Sequence, residues 1–568
     1  MREQISPEPR DRPNQLGSVL IVAMISILSV GAIAAGTNAV LTQDTVTANE
    51  KTRALQGLSV GDAARLQSNP NNHSALSTKL YKTSASLGVS VLPAPASNTY
   101  NAIIRDGTAE YGYRFQTGIP SVTSVQDLKD AAPGIGEVCE LPTSGSIGNS
   151  IDLTCELTND TISITEPWQI KNLDADIKLE ILLEGSDLEL NENFEIYGKT
   201  VEILIEDMIN SNLNFKGVFA AVADEKEAYV ELESLENDSI QFNEGVIVSG
   251  EKAEMRAEDI LNMDFSINGP LIVNGRDDAA NLELDSLENE TASITGPVYV
   301  KGEKAELRIN ESINTTFEFD NTIIVDGNEK KSYVEIKSIE NERMDINGGI
   351  LAAGRAAEIK IEDMTNVDLV FGDTVQFVST TNPKKNVRFS INSFTNNRID
   401  FAGSVIGHGQ KAEILFNGFE NATAKIQKEL YLFADNNEAV LQIGELINDP
   451  FVFEEDTFIH GQPARYRFNN LENTEVEFKE HIYVAPNQLD AEAKGTNGEL
   501  TIDGETEATD YQSPNACDDF GAVECADESS IRMAIDAAKT QLSQLSTIEA
   551  NIDYAGLEGG NGANVIRH

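Results

Sequence analysis

The side chains best able to do chemistry in this chain of 568 residues are its carboxylates, histidines and cysteines. Asp and Glu number 93 against 42 Lys and Arg, a formal net charge of −51. Two carboxylates that converge beside Lys or Arg on one strand face can cleave polysaccharides by general acid–base catalysis. Here the carboxylates recur too regularly to single out any pair. The charge also excludes a nucleic-acid partner, since phosphates must be neutralised by Lys and Arg.

The histidines and the short motifs supply no catalytic or metal site either. His408 and His460 lie 52 residues apart. In the repeat described below, that separation corresponds to two coils, or roughly 10 Å between the two residues. We expect both at the surface. The string Gly57-Leu58-Ser59-Val60-Gly61 lies inside a predicted helix, where a nucleophile elbow cannot form. With no Walker loop and no His-Glu-x-x-His, the sequence predicts no enzyme, no cofactor and no metal ion.

The four cysteines form two near pairs in loop-like sequence, Cys139 with Cys155 and Cys517 with Cys525. In an exported protein this spacing predicts two local disulfides, each worth about 2–4 kcal/mol. Zinc is the alternative, but it would prefer tight Cys-x-x-Cys knuckles, which are absent.

The element that positions these side chains is a repeat over residues 151–504, marked by a recurring asparagine. Its members are Asn210, Asn237, Asn262, Asn289, Asn314, Asn341, Asn366, Asn396, Asn421, Asn448 and Asn473. Apolar residues keep register with the asparagine as pairs two residues apart, such as Leu282 and Leu284. A spacing of two is the period of a strand, and each repeat holds three such pairs.

Three short strands in a repeat of this length are typical of one coil of a parallel β-solenoid. We therefore predict a mainly β fold: a parallel β-helix of about 13 coils and roughly 60 Å. Gly185 replaces the asparagine in one coil, and Asn and Gly share a tolerance of left-handed backbone angles. The asparagines are thus predicted to form turns, with stacked amides as a secondary benefit. Basic and acidic coils alternate, which predicts charged ladders on the outer face.

The N-terminal residues predict a membrane segment. Residues 1–17 are a charged leader, and the uncharged run from Ser18 to Ala35 is long enough to span a bilayer. Amphipathic spacing continues to Ser68, so we predict one transmembrane and amphipathic helix over 18–68. Arginines before the run place the N-terminus in the cytoplasm. A cleaved signal peptide is the alternative, because residues 32–35 are small.

Three features of this stretch resemble a known family: the leader ending in Gly17, the start at Leu20 to Val22, and Arg53 to Gln56. They are similar to type IV pilin-like proteins, particularly PilX-type minor pilins. The resemblance implies that a prepilin peptidase cuts between Gly17 and Ser18, and that other pilin subunits pack on the helix. Val22 stands where most pilins have glutamate, which implies a minor subunit.

Two regions flank the solenoid. Residues 69–150 are expected to form a small α+β head with strands near 89–91, 100–105 and 111–116, then a linker containing Pro133 to Gly136. Residues 505–568 are expected to be acidic and irregular apart from a helix at Ser530–Ser546 that caps the open end of the solenoid.

These observations predict a non-enzymatic minor pilin-like subunit of a type IV pilus or related filament. Its rigid acidic β-solenoid would serve adhesion, surface contact or pilus assembly, from a single-pass site in the inner membrane and then from the cell surface. Expected partners are pilin subunits, prepilin peptidase, membrane lipid and a surface or polysaccharide ligand. The alternative is an exported, membrane-anchored β-helix protein that binds or cleaves polysaccharide.

Overall fold

The computed structural model describes residues 121–485, apart from 144–146, 381–384 and 436, together with strands on either side. The chain divides into two units at Thr117 and Gly118. The first contains one antiparallel sheet with the strand order Leu87–Pro93, Thr99–Asp106, Ala109–Thr117 and Ala563–Arg567. The predicted transmembrane helix lies outside the described residues. Among the residues that are described, no helix is long and apolar enough to cross a membrane.

The second unit is a parallel β-solenoid of about 13 coils, so the predicted mainly β fold is confirmed. Each coil contributes a long strand, a short strand after the asparagine, and a third strand. The short-strand sheet has 15 strands: Thr161–Ile164, Asp187–Leu190, Asn212–Phe215, Ser239–Phe242, Asp264–Ile267, Thr291–Ile294, Thr316–Phe319, Arg343–Ile346, Asp368–Phe371, Arg398–Phe401, Thr423–Ile426, Pro450–Phe453, Glu475–Phe478, Glu499–Ile502 and Glu505–Ala508.

The long and third strands form the other two faces. The long strands are Ser150–Thr158, Glu227–Glu236, Lys252–Leu261, Ala279–Glu288, Lys304–Ile313, Val387–Thr395, Ala412–Glu420, Ala439–Ile447, Ala464–Glu472 and Leu489–Thr496. The third strands are Phe219–Ala223, Val246–Gly250, Leu271–Gly275, Val298–Gly302, Val375–Ser379, Val405–Gly409, Leu430–Ala434, Thr457–His460 and Ile482–Ala485. In four coils a third strand runs directly into a long strand: Trp168–Glu184, Phe194–Ile209, Ile323–Glu340 and Ile350–Thr365.

Each strand pairs with its counterpart in the next coil, which stacks like residues on like. Leu282 lies between Met255 and Leu307, for example, and all three are buried. Because strand side chains alternate, the inward residues of all coils merge into one continuous core. Phenylalanine stacks fill much of it, with ring centroids 5.1 Å apart for Phe215 and Phe242.

The asparagines make left-handed turns, as predicted. Their φ angles lie between 50° and 62°, and Gly185 has a φ of 58°. Stacked amides occur as well: the Asn366 amide donates to the Asn341 Oδ1 at 2.8 Å. A second left-handed column lies three residues earlier and includes Asp207, Ser234, Asp259, Ser286, Glu311, Ser338, Asp363, Ser393, Gly418, Glu445 and Asn470. Two such residues per coil bend the chain from the long strand into the short strand.

The first coil is covered by two short helices, α1 (Val125–Ala131) and α2 (Ile135–Val138). Ser124 and Asp127 form a capping box at the start of α1. Ile135 is fully buried, and the Trp168 indole donates to the Pro133 carbonyl at 3.0 Å. The prediction of a linker here was wrong, because these apolar side chains close the end of the core.

Candidate functional site

The long-strand face carries the most ordered set of charges in the described residues. One outward position, here called the charged ladder, alternates in sign through six successive coils: Glu231, Arg256, Glu283, Arg308, Glu335 and Lys360. In-register pairing sets neighbouring members one strand spacing apart, about 4.8 Å. The ladder predicted from the sequence is therefore present.

Members of the charged ladder pair across coils. The Arg256 Nε lies 3.2 Å from Glu283 and its Nη1 lies 3.9 Å from Glu231. The Lys360 Nζ lies 3.2 Å from Glu335 and 2.6 Å from Glu362. The hydrogen bond to Glu362 is the largest influence that raises the pKa of Lys360. Each cation therefore meets carboxylates in its own coil and in a neighbouring one.

Two tyrosines on the adjacent outward position anchor the ladder carboxylates. The Tyr229 hydroxyl donates to Glu231 at 2.6 Å, and the Tyr333 hydroxyl donates to Glu335 at 2.8 Å. Burial alone would raise the pKa of Glu335, but the hydrogen bonds from Tyr333 and Lys360 outweigh it and lower the pKa. Burial and the same hydrogen bond raise the pKa of Tyr333. Glu335 is thus held ionised, and both carboxylates are held in fixed positions, which suits a structural surface.

Like charges gather where the ladder begins. Carboxylate oxygens of Glu206, Glu231 and Glu233 lie within 4.8 Å of one another. Burial raises the pKa of Glu206 first, and repulsion from Glu180, Glu233 and Glu231 adds to it. A hard cation that prefers oxygen ligands, such as Ca²⁺, fits this donor set.

A second group that could hold a metal ion lies near the distal end of the described coils. Donor atoms of Asp456, Glu480 and His481 lie within 4.8 Å of one another, and the three residues precede two successive third strands. Two carboxylates and one imidazole suit a transition metal better than Ca²⁺. The sequence analysis did not predict it, because Asp456 is separated from the other two by a whole coil.

A column of buried polar residues follows the asparagines in alternate coils. Here called the corner acids, they are Asp238, Glu290, Glu342 and Asp449, with Asn397 in the equivalent place. Each lies next to the equivalent residue of the preceding coil, which is smaller or apolar. The Thr315 amide donates to the Glu342 Oε1 at 3.2 Å, and the Ser312 hydroxyl donates to the same oxygen at 2.6 Å. The amides of Ser211 and Ala422 donate to Asp238 and Asp449 in the same way.

Burial raises the pKa of every corner acid. The pKa is about 8 for Glu290, about 7 for Glu342, and about 6 for Asp238 and for Asp449. Burial is the largest cause in each case, and backbone amides oppose it. The sequence analysis missed these residues, although an acid after the asparagine in alternate coils was a visible signal.

The two spaced histidines are buried, so the expectation of a surface position was wrong. His408 and His460 are 8% and 6% exposed and enclose the Phe433 ring, which stacks on His460 at 4.4 Å. The His408 Nε2 lies 3.2 Å from the Asp435 Oδ1. Both lie on the outward side of their strands, where each contacts the Phe433 ring. The aromatic contacts give both imidazoles a packing role.

Of the residues predicted for processing and crosslinking, the structure describes one pair. Cys139 and Cys155 form a disulfide and pair across two antiparallel strands. Gly17, Ser18, Cys517 and Cys525 lie outside the described residues.

No family model, curated protein or solved structure matches the chain. The identification as a type IV pilin-like protein was therefore wrong. The residues that suggested it are short runs of Leu, Ile, Val, Ala and Gly between charged residues. Any apolar helix next to a charged leader can have this composition, so it did not specify a family.

Proposed function

We propose that the solenoid is a non-catalytic rod through which an exported protein makes adhesive contact with a surface or a polysaccharide. The charged ladder carries this proposal. Its charges are neutralised by neighbours in adjacent coils and are not directed at one convergent point. One exposed ion pair contributes only about 0–1 kcal/mol. Repetition in register nevertheless fixes a flat, regular surface, which suits a ligand that is itself repetitive.

Export is supported by the disulfide between Cys139 and Cys155, because disulfides persist mainly in oxidising compartments. We assign the uncharged run at residues 18–35 to export or to membrane attachment, on its length and composition alone.

Deletion of whole coils tests the proposed function. Removing residues 263–314 deletes one pair of coils and joins Asn262 to Thr315, so that Arg256 is followed by Glu335 and the sign alternation survives. The shortened protein should fold and still adsorb to polysaccharide-coated and mineral surfaces in a quartz-crystal microbalance. Its rod should be shorter by about 10 Å in small-angle scattering.

The matched control deletes a single coil, residues 263–289. Arg256 then faces Arg308, so the ladder is broken although less of the chain is lost. This variant should be less stable and should adsorb more weakly than the variant that lacks two coils. Failure of the intact protein to adsorb to any surface would refute the adhesive role. Release of oligosaccharides with turnover would show an enzyme instead.

A further inference from the structure

The turn that precedes the third strand changes in chemical character toward the distal end of the solenoid. In five successive coils this position holds an uncharged residue: Pro297, Thr322, Gly349, Thr374 and Ser404. In the next three coils the aligned residues are Glu429, Asp456 and His481. Because uncharged residues form the same turn in the earlier coils, the turn itself requires neither a carboxylate nor an imidazole at this position.

Three donor groups meet at the end of this column. Ligand atoms of Asp456, Glu480 and His481 lie within 4.8 Å of one another. Asp456 and His481 occupy equivalent places in adjacent coils, which are one strand spacing apart, about 4.8 Å. Both residues are half-buried, whereas Glu480 is exposed. The group therefore bridges two coils and is open to solvent on the side of Glu480.

Two contacts hold the less exposed donors in place. The His481 backbone amide donates to the Asp456 Oδ1 at 3.2 Å, and a carboxylate has a second oxygen that can take another partner. The His481 ring packs on the Tyr483 ring, with the centroids 6.0 Å apart. The imidazole and one carboxylate are thus positioned by the fold, and the exposed Glu480 side chain is the donor that can adjust by rotation.

The two carboxylates of this group are not neutralised by neighbouring cations. Within the described coils, no Lys or Arg forms an ion pair with Asp456 or Glu480, and the adjacent Lys479 pairs with another glutamate at 3.0 Å. The acidic group where the charged ladder begins is different, because Arg256 already lies 3.9 Å from Glu231 there. Of the two groups, the distal one has both an imidazole and uncompensated negative charge.

A divalent transition ion fits this set of donors. Imidazole is a common ligand of Zn²⁺, whereas Ca²⁺ and Mg²⁺ take oxygen ligands. An open zinc site has three protein ligands and a water, with nitrogen and oxygen ligands at about 2.0–2.2 Å. We propose that Asp456, Glu480 and His481 bind one Zn²⁺ or a similar first-row ion, through one oxygen of each carboxylate and one ring nitrogen.

The bound ion would crosslink two coils at the distal end of the solenoid. Asp456 belongs to one coil, and Glu480 and His481 belong to the next, so the three ligands come together only when these coils are stacked. Each coil of a solenoid contacts only its neighbours, and the coils near an end open most easily. The helix predicted to cap this end, Ser530–Ser546, lies outside the described residues. The metal site is independent of the adhesive role proposed above.

Titration of the full-length chain with Zn²⁺ tests the site. Excess Mg²⁺ is kept in the buffer so that it occupies the exposed carboxylates of this acidic chain. Calorimetry should detect one equivalent of Zn²⁺ that Mg²⁺ does not displace. Its binding should slow amide exchange several-fold in the strands Thr457–His460 and Ile482–Ala485. The absence of such an equivalent, or unchanged exchange in both strands once it is bound, would overturn the proposal.

Substitutions locate the bound ion. His481→Gln should abolish the binding of Zn²⁺, and Glu480→Gln should weaken it by at least the amount that loss of an outer-shell partner costs, about 10–100-fold. Glu455→Gln is the matched control and should leave binding unchanged. Glu455 is exposed, precedes Asp456 as Glu480 precedes His481, and loses the same charge when substituted. Equal weakening by Glu455→Gln and Glu480→Gln would show nonspecific attraction to an acidic surface and refute the site.

A spectroscopic probe identifies the nitrogen ligand directly. Cu²⁺ bound in place of Zn²⁺ should show electron paramagnetic resonance coupling to the nitrogen of one imidazole. That coupling should disappear in His481→Gln and persist in Glu455→Gln. Nitrogen coupling that survives in His481→Gln would assign the ion to another histidine and overturn the proposal.

Discussion

The pH dependence of stability should be dominated by the corner acids, and Glu290 is the best member to test. Its side chain is 5% exposed, and its pKa is raised to about 8 by burial first and by the charge of Asp264 second. Neither carboxylate oxygen makes a hydrogen bond of normal geometry, and the nearby Met263 amide opposes the effect of burial only in part. Unfolding would restore the ordinary pKa of 4.5. Between these two values the folded protein holds a proton that the unfolded chain has lost.

The sign follows from proton linkage. The free energy of unfolding falls as pH rises wherever the folded state binds more protons. The contribution of Glu290 is therefore fully present below pH 4.5 and is lost as pH rises to about 8. One pKa unit corresponds to about 1.4 kcal/mol, so the full loss is roughly 4–5 kcal/mol. Glu342, Asp238 and Asp449 act in the same direction.

The experiment compares wild type with Glu290→Gln by urea denaturation at pH 5 and at pH 8.5. Glutamine keeps the size of the side chain but cannot ionise, so the variant should lose several kcal/mol less between the two pH values. Glu288→Gln is the matched control, because Glu288 is exposed and its loss changes the net charge equally. If wild type and Glu290→Gln show the same pH dependence, the argument from burial is wrong.

Three further predictions use the same denaturation measurement. Asn289 has a φ of 58°, so Asn289→Gly should cost little and Asn289→Val about 1–2 kcal/mol; equal tolerance would refute the turn role. A Cβ on Gly407 would lie 2.4 Å from the Phe377 ring, so Gly407→Ala should cost about 1–3 kcal/mol by overpacking. Arg256→Met leaves Glu231 and Glu283 without their shared cation and should cost about 1 kcal/mol, less at 1 M salt; a cost independent of salt would contradict the ladder.

The coil could be predicted from the sequence because its constraints are local and repeated. A spacing of two residues fixes the strand, and the distance between Asn262 and Asn289 fixes the coil. The turn at the asparagine was predictable because Gly185 replaces it. The second left-handed column was not, because Asp, Ser, Glu, Asn and Gly all occupy it and share no property that a single sequence reveals.

The parts that could not be predicted depend on contacts between coils or beyond them. Glu290 follows an exposed turn residue, so its residue type and its place in the sequence indicate a solvated charge. His408 lies on the outward side of a strand and is nevertheless buried. Val125–Ala131 and Ile135–Val138 are too short to show a helical period, and only their contact with the first coil makes them a cap. In each case burial is set by a neighbour distant in sequence.

The charged ladder and the corner acids explain why the repeating unit is two coils. The coils with Glu231, Glu283 and Glu335 on the face also carry Asp238, Glu290 and Glu342 at the corner. The intervening coils have a cation on the face and Met263, Thr315 or Val367 at the corner. Identical coils would stack carboxylate on carboxylate about 4.8 Å apart at both places, and like charges directly opposite destabilise a sheet. With alternation, each carboxylate of the charged ladder pairs with a cation in an adjacent coil. Most corner acids accept a hydrogen bond from a backbone amide of the preceding coil. A single coil therefore cannot be the repeat of this solenoid.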